Sequence, residues 1–167
     1  MASASNVAIF DGDMKIVLFL CTGNYYRSRF AEELFNHRAG DVGTDWQAQS
    51  RGLAIERGKH NVGPLSHFTL HALEARRVVT RGAARFPLPC TVVDLEGADH
   101  VVALDEAEHR PLMRERFPEW EGRIEYWGIG DVGFAAPDQA LSLLEAQIEK
   151  LLKGLTLPAR STDSGRA

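Results

Sequence analysis

Short apolar runs alternate with amphipathic segments along this chain. Lys15-Ile-Val-Leu-Phe-Leu20 is an apolar run bounded by Asp13 and by Gly23-Asn24, the pattern of a strand buried on both faces. From Ser28 to about Arg38, Phe30, Leu34 and Phe35 share a face with Glu32 and Glu33 opposite, which predicts a helix. Trp46 to Gly52 carries a weaker strand signal, and Phe68, Leu70, His71, Leu73 and Val78 predict a helix from Pro64 to about Val79. His100 to Leu104 reads as a buried strand, followed by a helix from Glu106 to Phe117 that Pro118 ends. Ile124 to Trp127 is a fourth strand. Pro137 opens a last helix with Leu141, Leu144, Ile148, Leu151, Leu152 and Leu155 on one stripe. This alternation predicts an α/β fold: one domain, a four-stranded parallel sheet with helices on both faces. Ligands of such sheets gather beyond the carboxyl ends of the strands, here the loops after Leu20, Leu104 and Trp127.

Composition narrows the class. The 167 residues suit one domain with a proper core, and a net charge of −4 lacks the basic excess of a nucleic-acid binder. Two cysteines, Cys21 and Cys90, exclude a disulfide scaffold and any C-x-x-C metal or redox motif. The run from Ile16 to Cys21 is too short to cross a membrane, and the segment before it has no basic or long apolar leader pattern. Residues 1–14 are expected to be a flexible extension, 15–157 the folded domain and 158–167 a disordered tail, in a cytoplasmic protein.

The chemistry concentrates in Cys21-Thr-Gly-Asn-Tyr-Tyr-Arg-Ser28, between the first strand and the first helix. A turn wrapped around backbone N–H groups, at the positive end of a helix, holds an anion such as phosphate and stabilises a thiolate at Cys21. Gly23 is expected to supply the backbone freedom, and Asn24 to bond the loop's own backbone. Ser28 offers a hydroxyl to the sulfur. Arg27 adds a planar cation that matches two phosphate oxygens. Cys-x5-Arg alone arises by chance in many chains; the order strand, Cys, Gly-Asn, Arg-Ser, helix is what gives it weight.

That loop resembles the low-molecular-weight protein tyrosine phosphatases, whose loop reads Cys-x-Gly-Asn-x-x-Arg-Ser. The resemblance continues through Ala31-Glu32, His60-Asn-Val-Gly63, the run from Asp94 to Asp105, His109, Leu112 and Pro118, covering about Lys15 to Leu155. It implies the phosphotyrosine phosphatase I-like fold and a hydrolase without metal or cofactor, acting on a phosphotyrosine protein or an aryl phosphate. Nothing in it fixes the oligomeric state. By the resemblance Cys21 is the nucleophile, Arg27 binds the phosphoryl group, and Thr22, Gly23, Asn24, Tyr25, Tyr26 and Ser28 complete the phosphate loop. The general acid falls at Asp131, where Val132 replaces the family's proline; Asp138 is the alternative. His60 stands where the family places an aromatic wall of the cleft. Tyr26 replaces a second loop cysteine found in many members, so a protective disulfide with the nucleophile is not expected. Tyr25 differs from the threonine of the arginine-phosphate-specific branch. Arg29 replaces a common proline and is expected to add positive charge at the rim.

Gly128-Ile-Gly-Asp-Val-Gly133 also spells the dinucleotide fingerprint, but too little chain follows for the rest of that unit. His67 and His71, at i and i+4, lack an evident third metal ligand and read as helix surface, and Cys90 as a bystander. Two other functions stay open at this stage: arsenate reduction using an external thiol, and a non-catalytic phosphotyrosine-binding module.

Overall fold

The computed structural model describes residues 14–130 and 137–157. The expected tail, all but the last residue of the expected extension, and Asp131 lie outside these residues. Strands β1 (Lys15–Cys21), β2 (Trp46–Gly52), β3 (His100–Ala103) and β4 (Glu125–Tyr126) form one parallel sheet in the order β2-β1-β3-β4. Helices α1 (Arg27–Val42), α2 (His67–Ala75), α3 (Val92–Gly97), α4 (Glu106–Arg116) and α5 (Pro137–Thr156) connect and cover it. The expected α/β architecture is present.

The alternation of side chains along β1 divides the core in two. Val17, Phe19 and Cys21 face Phe30, Leu34 and Phe35 of α1 and Leu141, Leu144 and Ile148 of α5. Leu18 and Leu20 face the other way, toward Leu95 of α3 and Leu112 and Met113 of α4. Phe19 is wedged between the rings of Phe35 and Trp127, with centroids 6.0 and 5.9 Å away. Because β1 is buried on both faces, its sequence reads as an unbroken apolar run.

Three boundaries differ from the sequence expectation. Helix α1 runs on to Val42, where Gly43 closes it in the left-handed conformation (φ 67°) and its N–H bonds the Ala39 carbonyl. The helix expected from Pro64 to Val79 is only His67–Ala75. Ser66 caps it by accepting from the Phe68 N–H, and Arg77 (φ 58°) breaks the spiral behind it. Helix α3 was not anticipated. Its six residues are held by a capping box in which Thr91 and Asp94 bond each other's backbone N–H.

The strand order places the site. From β1 the chain crosses to β2 on one side, and later returns to β3 on the other. The loops leaving β1 and β3 therefore diverge at their carboxyl ends and open a crevice.

Candidate active site

The crevice is a cleft of about 430 Å³ lined by Cys21, Thr22, Gly23, Tyr25, Tyr26 and Arg27, with Arg57, Gly58, Asn61, Ser66, His67, Phe68 and Glu108 around them. Cys21 is the last residue of β1, buried at the base of the cleft. Its Sγ donates to Ser28 Oγ at 2.9 Å and accepts from the Asn24 N–H at 3.3 Å. Helix α1 begins at Arg27, next to the Ser28 that bonds the sulfur, with no acidic residue in its first turn to compete for its positive end.

Asn24 organises the loop, and here one expectation is corrected. Gly23 is not among the residues with positive φ; Asn24 is, at φ 49°. Asparagine tolerates this left-handed conformation because its side chain bonds locally. Here the side chain is buried and fully used. Nδ2 donates to Ser28 Oγ (2.8 Å) and Ser50 Oγ (2.9 Å), and Oδ1 accepts from the Leu88 N–H (3.0 Å). Ser50 in turn donates to Glu32, whose carboxylate also receives Arg85, so the loop is anchored to β2, α1 and the segment after α2. Burial raises the pKa of Glu32 against the lowering effect of Arg85 and Ser50. Gly52, opposite Cys21 in the sheet, allows the close approach: a Cβ there would lie 2.5 Å from Ile55 and 2.9 Å from the Thr22 carbonyl oxygen.

Arg27 is buried, with Nη1 donating to the Ile129 carbonyl (2.9 Å) and Nη2 to both carboxylate oxygens of Glu108 (3.0 Å each). The same carboxylate accepts from the Thr22 hydroxyl. Sequence reasoning missed Glu108. The signal was its place in the first turn of α4, just past the carboxyl end of β3, where the carboxyl-end rule already pointed. Its pKa is held far below the usual carboxylate range, by His109 first and also by Arg27 and Thr22, against partial burial. The arginine at the centre of the site is thus paired with a carboxylate.

Arg29 is a second correction. It is 1% exposed and not at the rim. Its guanidinium donates to the carbonyls of Asn24 (3.4 Å), Pro64 (3.1 Å) and Gly82 (2.7 Å), and burial lowers its pKa. A third concerns His60, which is exposed and does not line the cleft. The walls come instead from Tyr25, whose hydroxyl donates to the Val62 carbonyl, from His67, and from the edge-to-face pair Tyr26–Phe68. His67 and His71 face one another at 6.0 Å, and no group of three metal-ligating side chains gathers among the described residues. Cys90 lies in the opposite half of the core from Cys21, its thiol pushed up to about 12 by burial.

The sequence matches the model of the low molecular weight phosphotyrosine protein phosphatases over residues 16–156. The chain belongs to that family. Membership makes it a phosphatase-type hydrolase, with a phosphorylated substrate as its partner. No curated protein sequence matches it significantly. Among solved structures, it resembles the low molecular weight protein tyrosine phosphatase from T. tengcongensis at 25% identity and TM-score 0.70, covering 84% of this chain and 99% of that one. The YwlE arginine phosphatase from Geobacillus stearothermophilus matches at 23% identity and TM-score 0.66, over 84% and 92%. A thioredoxin-dependent arsenate reductase from Corynebacterium glutamicum matches at 22% and 0.61, over 87% and 63%. The fold is therefore common to proteins that act on different substrates. No helix among the described residues is long and apolar enough to cross a membrane.

Proposed function

We propose that the protein hydrolyses aryl phosphate monoesters, phosphotyrosine in a protein being the natural case, through a phosphorylated Cys21. The observation that carries this reading is the position of Cys21 Sγ at the cleft base, bonded by Ser28 Oγ and the Asn24 N–H next to the start of α1. Asn24 donates to Ser28 Oγ, which leaves the serine hydroxyl proton for a thiolate sulfur. In the first step the Cys21 thiolate attacks phosphorus in line and the P–O bond to the aryl group breaks. The equatorial oxygens rest on the loop amides and Arg27. The aryl oxygen takes a proton from Asp131. In the second step water, deprotonated by the same aspartate, attacks phosphorus and returns the thiolate with inorganic phosphate. The aromatic walls Tyr25, Tyr26 and Phe68 suit a flat leaving group.

Asp131 is assigned from sequence. The described residues Ile129 and Pro137 bond the cleft residues Arg27 and Tyr26 through their carbonyls. Hydrolysis of an aryl phosphate with EDTA present tests the reading. Wild type should turn over, Cys21→Ser should be inactive, and Asp131→Asn should lose roughly 10²–10⁴-fold, the usual worth of a general acid. No phenol from wild type would defeat it, and thiol-dependent arsenite formation would then favour arsenate reduction. Full activity in Asp131→Asn with loss in Asp138→Asn would move the acid to Asp138.

A further inference from the structure

Glu108 is an acidic side chain on the wall of a cleft whose proposed substrate is an anion. A carboxylate there repels a phosphate dianion unless its charge is committed elsewhere. Its surroundings commit it. Arg27 Nη2 lies 3.0 Å from both oxygens, and the Thr22 hydroxyl donates to Oε1. Behind it, His109 is fully buried on the same helix, with Nδ1 accepting from the Asp105 N–H at 2.9 Å. That bond leaves the proton of a neutral imidazole on Nε2, which faces Glu108 Oε1 from 3.6 Å. The Thr22 hydroxyl from the loop after β1 and the Arg27 guanidinium at the start of α1 thus bind one carboxylate of α4, with His109 Nε2 beyond hydrogen-bond distance behind it.

Resting on the phosphatase reading, we propose that Glu108 is a positioning residue: it holds Arg27, and with it Thr22, in the geometry that receives the phosphoryl group. Arg27 carries five N–H donors on a rigid plane. The Ile129 carbonyl fixes one terminal nitrogen and Glu108 the other, so the plane is oriented before substrate arrives. Only 3% of the Arg27 side chain is exposed, against 29% for Glu108, so the pair is not the screened surface kind that contributes little. Thr22 and Arg27 lie near the two ends of the Cys21–Ser28 loop, and one carboxylate ties both to α4. Preorganisation of this kind lowers the barrier because no donor has to be recruited as charge develops.

The test uses the full chain as wild type, Glu108→Gln, Arg27→Lys and the double variant, with orthovanadate binding by calorimetry and aryl phosphate turnover measured on each. Glu108→Gln should weaken vanadate binding and lower kcat/KM by on the order of tenfold or more, with most of the loss in kcat. In the Arg27→Lys background the same change should have little further effect, since Glu108 acts through the guanidinium. Thr22→Val, which removes the second donor and leaves the ion pair, should give a smaller loss in the same direction. Tighter vanadate binding in Glu108→Gln would overturn the proposal and make the carboxylate a competitor for the anion site. So would full additivity with Arg27→Lys, or a lowered melting temperature with unchanged vanadate affinity. Wild type that binds vanadate without hydrolysing aryl phosphate would sink the phosphatase reading, while the binding comparison still decides the role of Glu108. Wild type that binds no vanadate would overturn both.

Discussion

At the scale of single residues, the loop's shape depends on two positions of opposite character. Asn24 adopts a left-handed backbone and holds it with three side-chain hydrogen bonds. Gly52 has no left-handed backbone; it is required because Ile55, the Thr22 carbonyl and Asn24 Cβ all press on the space a side chain would fill. The Thr22 carbonyl is backbone and cannot swing aside. Gly52→Ala should therefore destabilise the protein by roughly 1–3 kcal/mol, the range for overpacking. It should also lower kcat/KM, because the displaced element is the loop that holds Cys21. Chemical denaturation and aryl phosphate kinetics check both. A variant of unchanged stability and activity would show that Ile55 and the loop can both yield. The Asn24 conformation was half legible in sequence: Gly-Asn announced a tight turn, but not which of the two would turn left-handed. The need for Gly52 was invisible there, because the Thr22 carbonyl and Asn24 that crowd it come from the loop after β1, distant in sequence.

At the scale of elements, α1 is the hub. Its first turn faces the cleft, one flank packs on β1, and Arg29 and Glu33 reach the segment after α2. Glu33 accepts from the backbone N–H groups of Arg81 (3.0 Å) and Gly82 (2.8 Å), while Arg29 donates to the Gly82 carbonyl. Residues 76–91 form no helix or named strand, and within them these two side chains satisfy the backbone of Arg81 and Gly82. Arg29→Met should leave the Pro64 and Gly82 carbonyls unpaired and cost on the order of 3 kcal/mol. Amide exchange should accelerate across residues 79–88 more than in β1. Neutral stability with unchanged exchange would show that water replaces the guanidinium. The sequence expectation put Arg29 at the rim because a cation on a helix start is usually solvated; the Pro64 and Gly82 carbonyls from distant segments, with the nearby Asn24 carbonyl, make burial possible, and neither distant partner is marked in sequence. The strong elements β1, β3, α4 and α5 were legible because burial on both faces or one stripe leaves an unmistakable period. Helix α3 was not, although Thr91-x-x-Asp94 announces its cap; six residues are too few for a period to show.

At the scale of the molecule, the sheet order joins two distant stretches of chain at one crevice, Cys21–Ser28 after β1 and Asp105–His109 after β3. Glu108 meets Arg27 because β3 returns beside β1, which no local pattern could reveal. This junction makes stability depend on acid. The folded Glu108 pKa lies below its ordinary value of 4.5, with Arg27 of α1 and His109 of α4 as the ionisable groups facing it. Its contribution is therefore present above that ordinary value and lost as pH falls toward the folded one. Urea unfolding of wild type and Glu108→Gln should show an advantage for wild type at pH 7 that shrinks on moving below about pH 4. A pH-independent difference would mean that the charge of Glu108 adds nothing. In the proposed reaction, phosphate passes through Cys21. Rapid acid quench of the working protein with an aryl phosphate, followed by peptide mass analysis, tests it most directly. One phosphoryl group on the peptide carrying Cys21, absent in Cys21→Ser and unaffected by Cys90→Ser, is the predicted result; phosphate release from Cys21→Ser at the wild-type rate, with no phosphorylated cysteine in either protein, would contradict it.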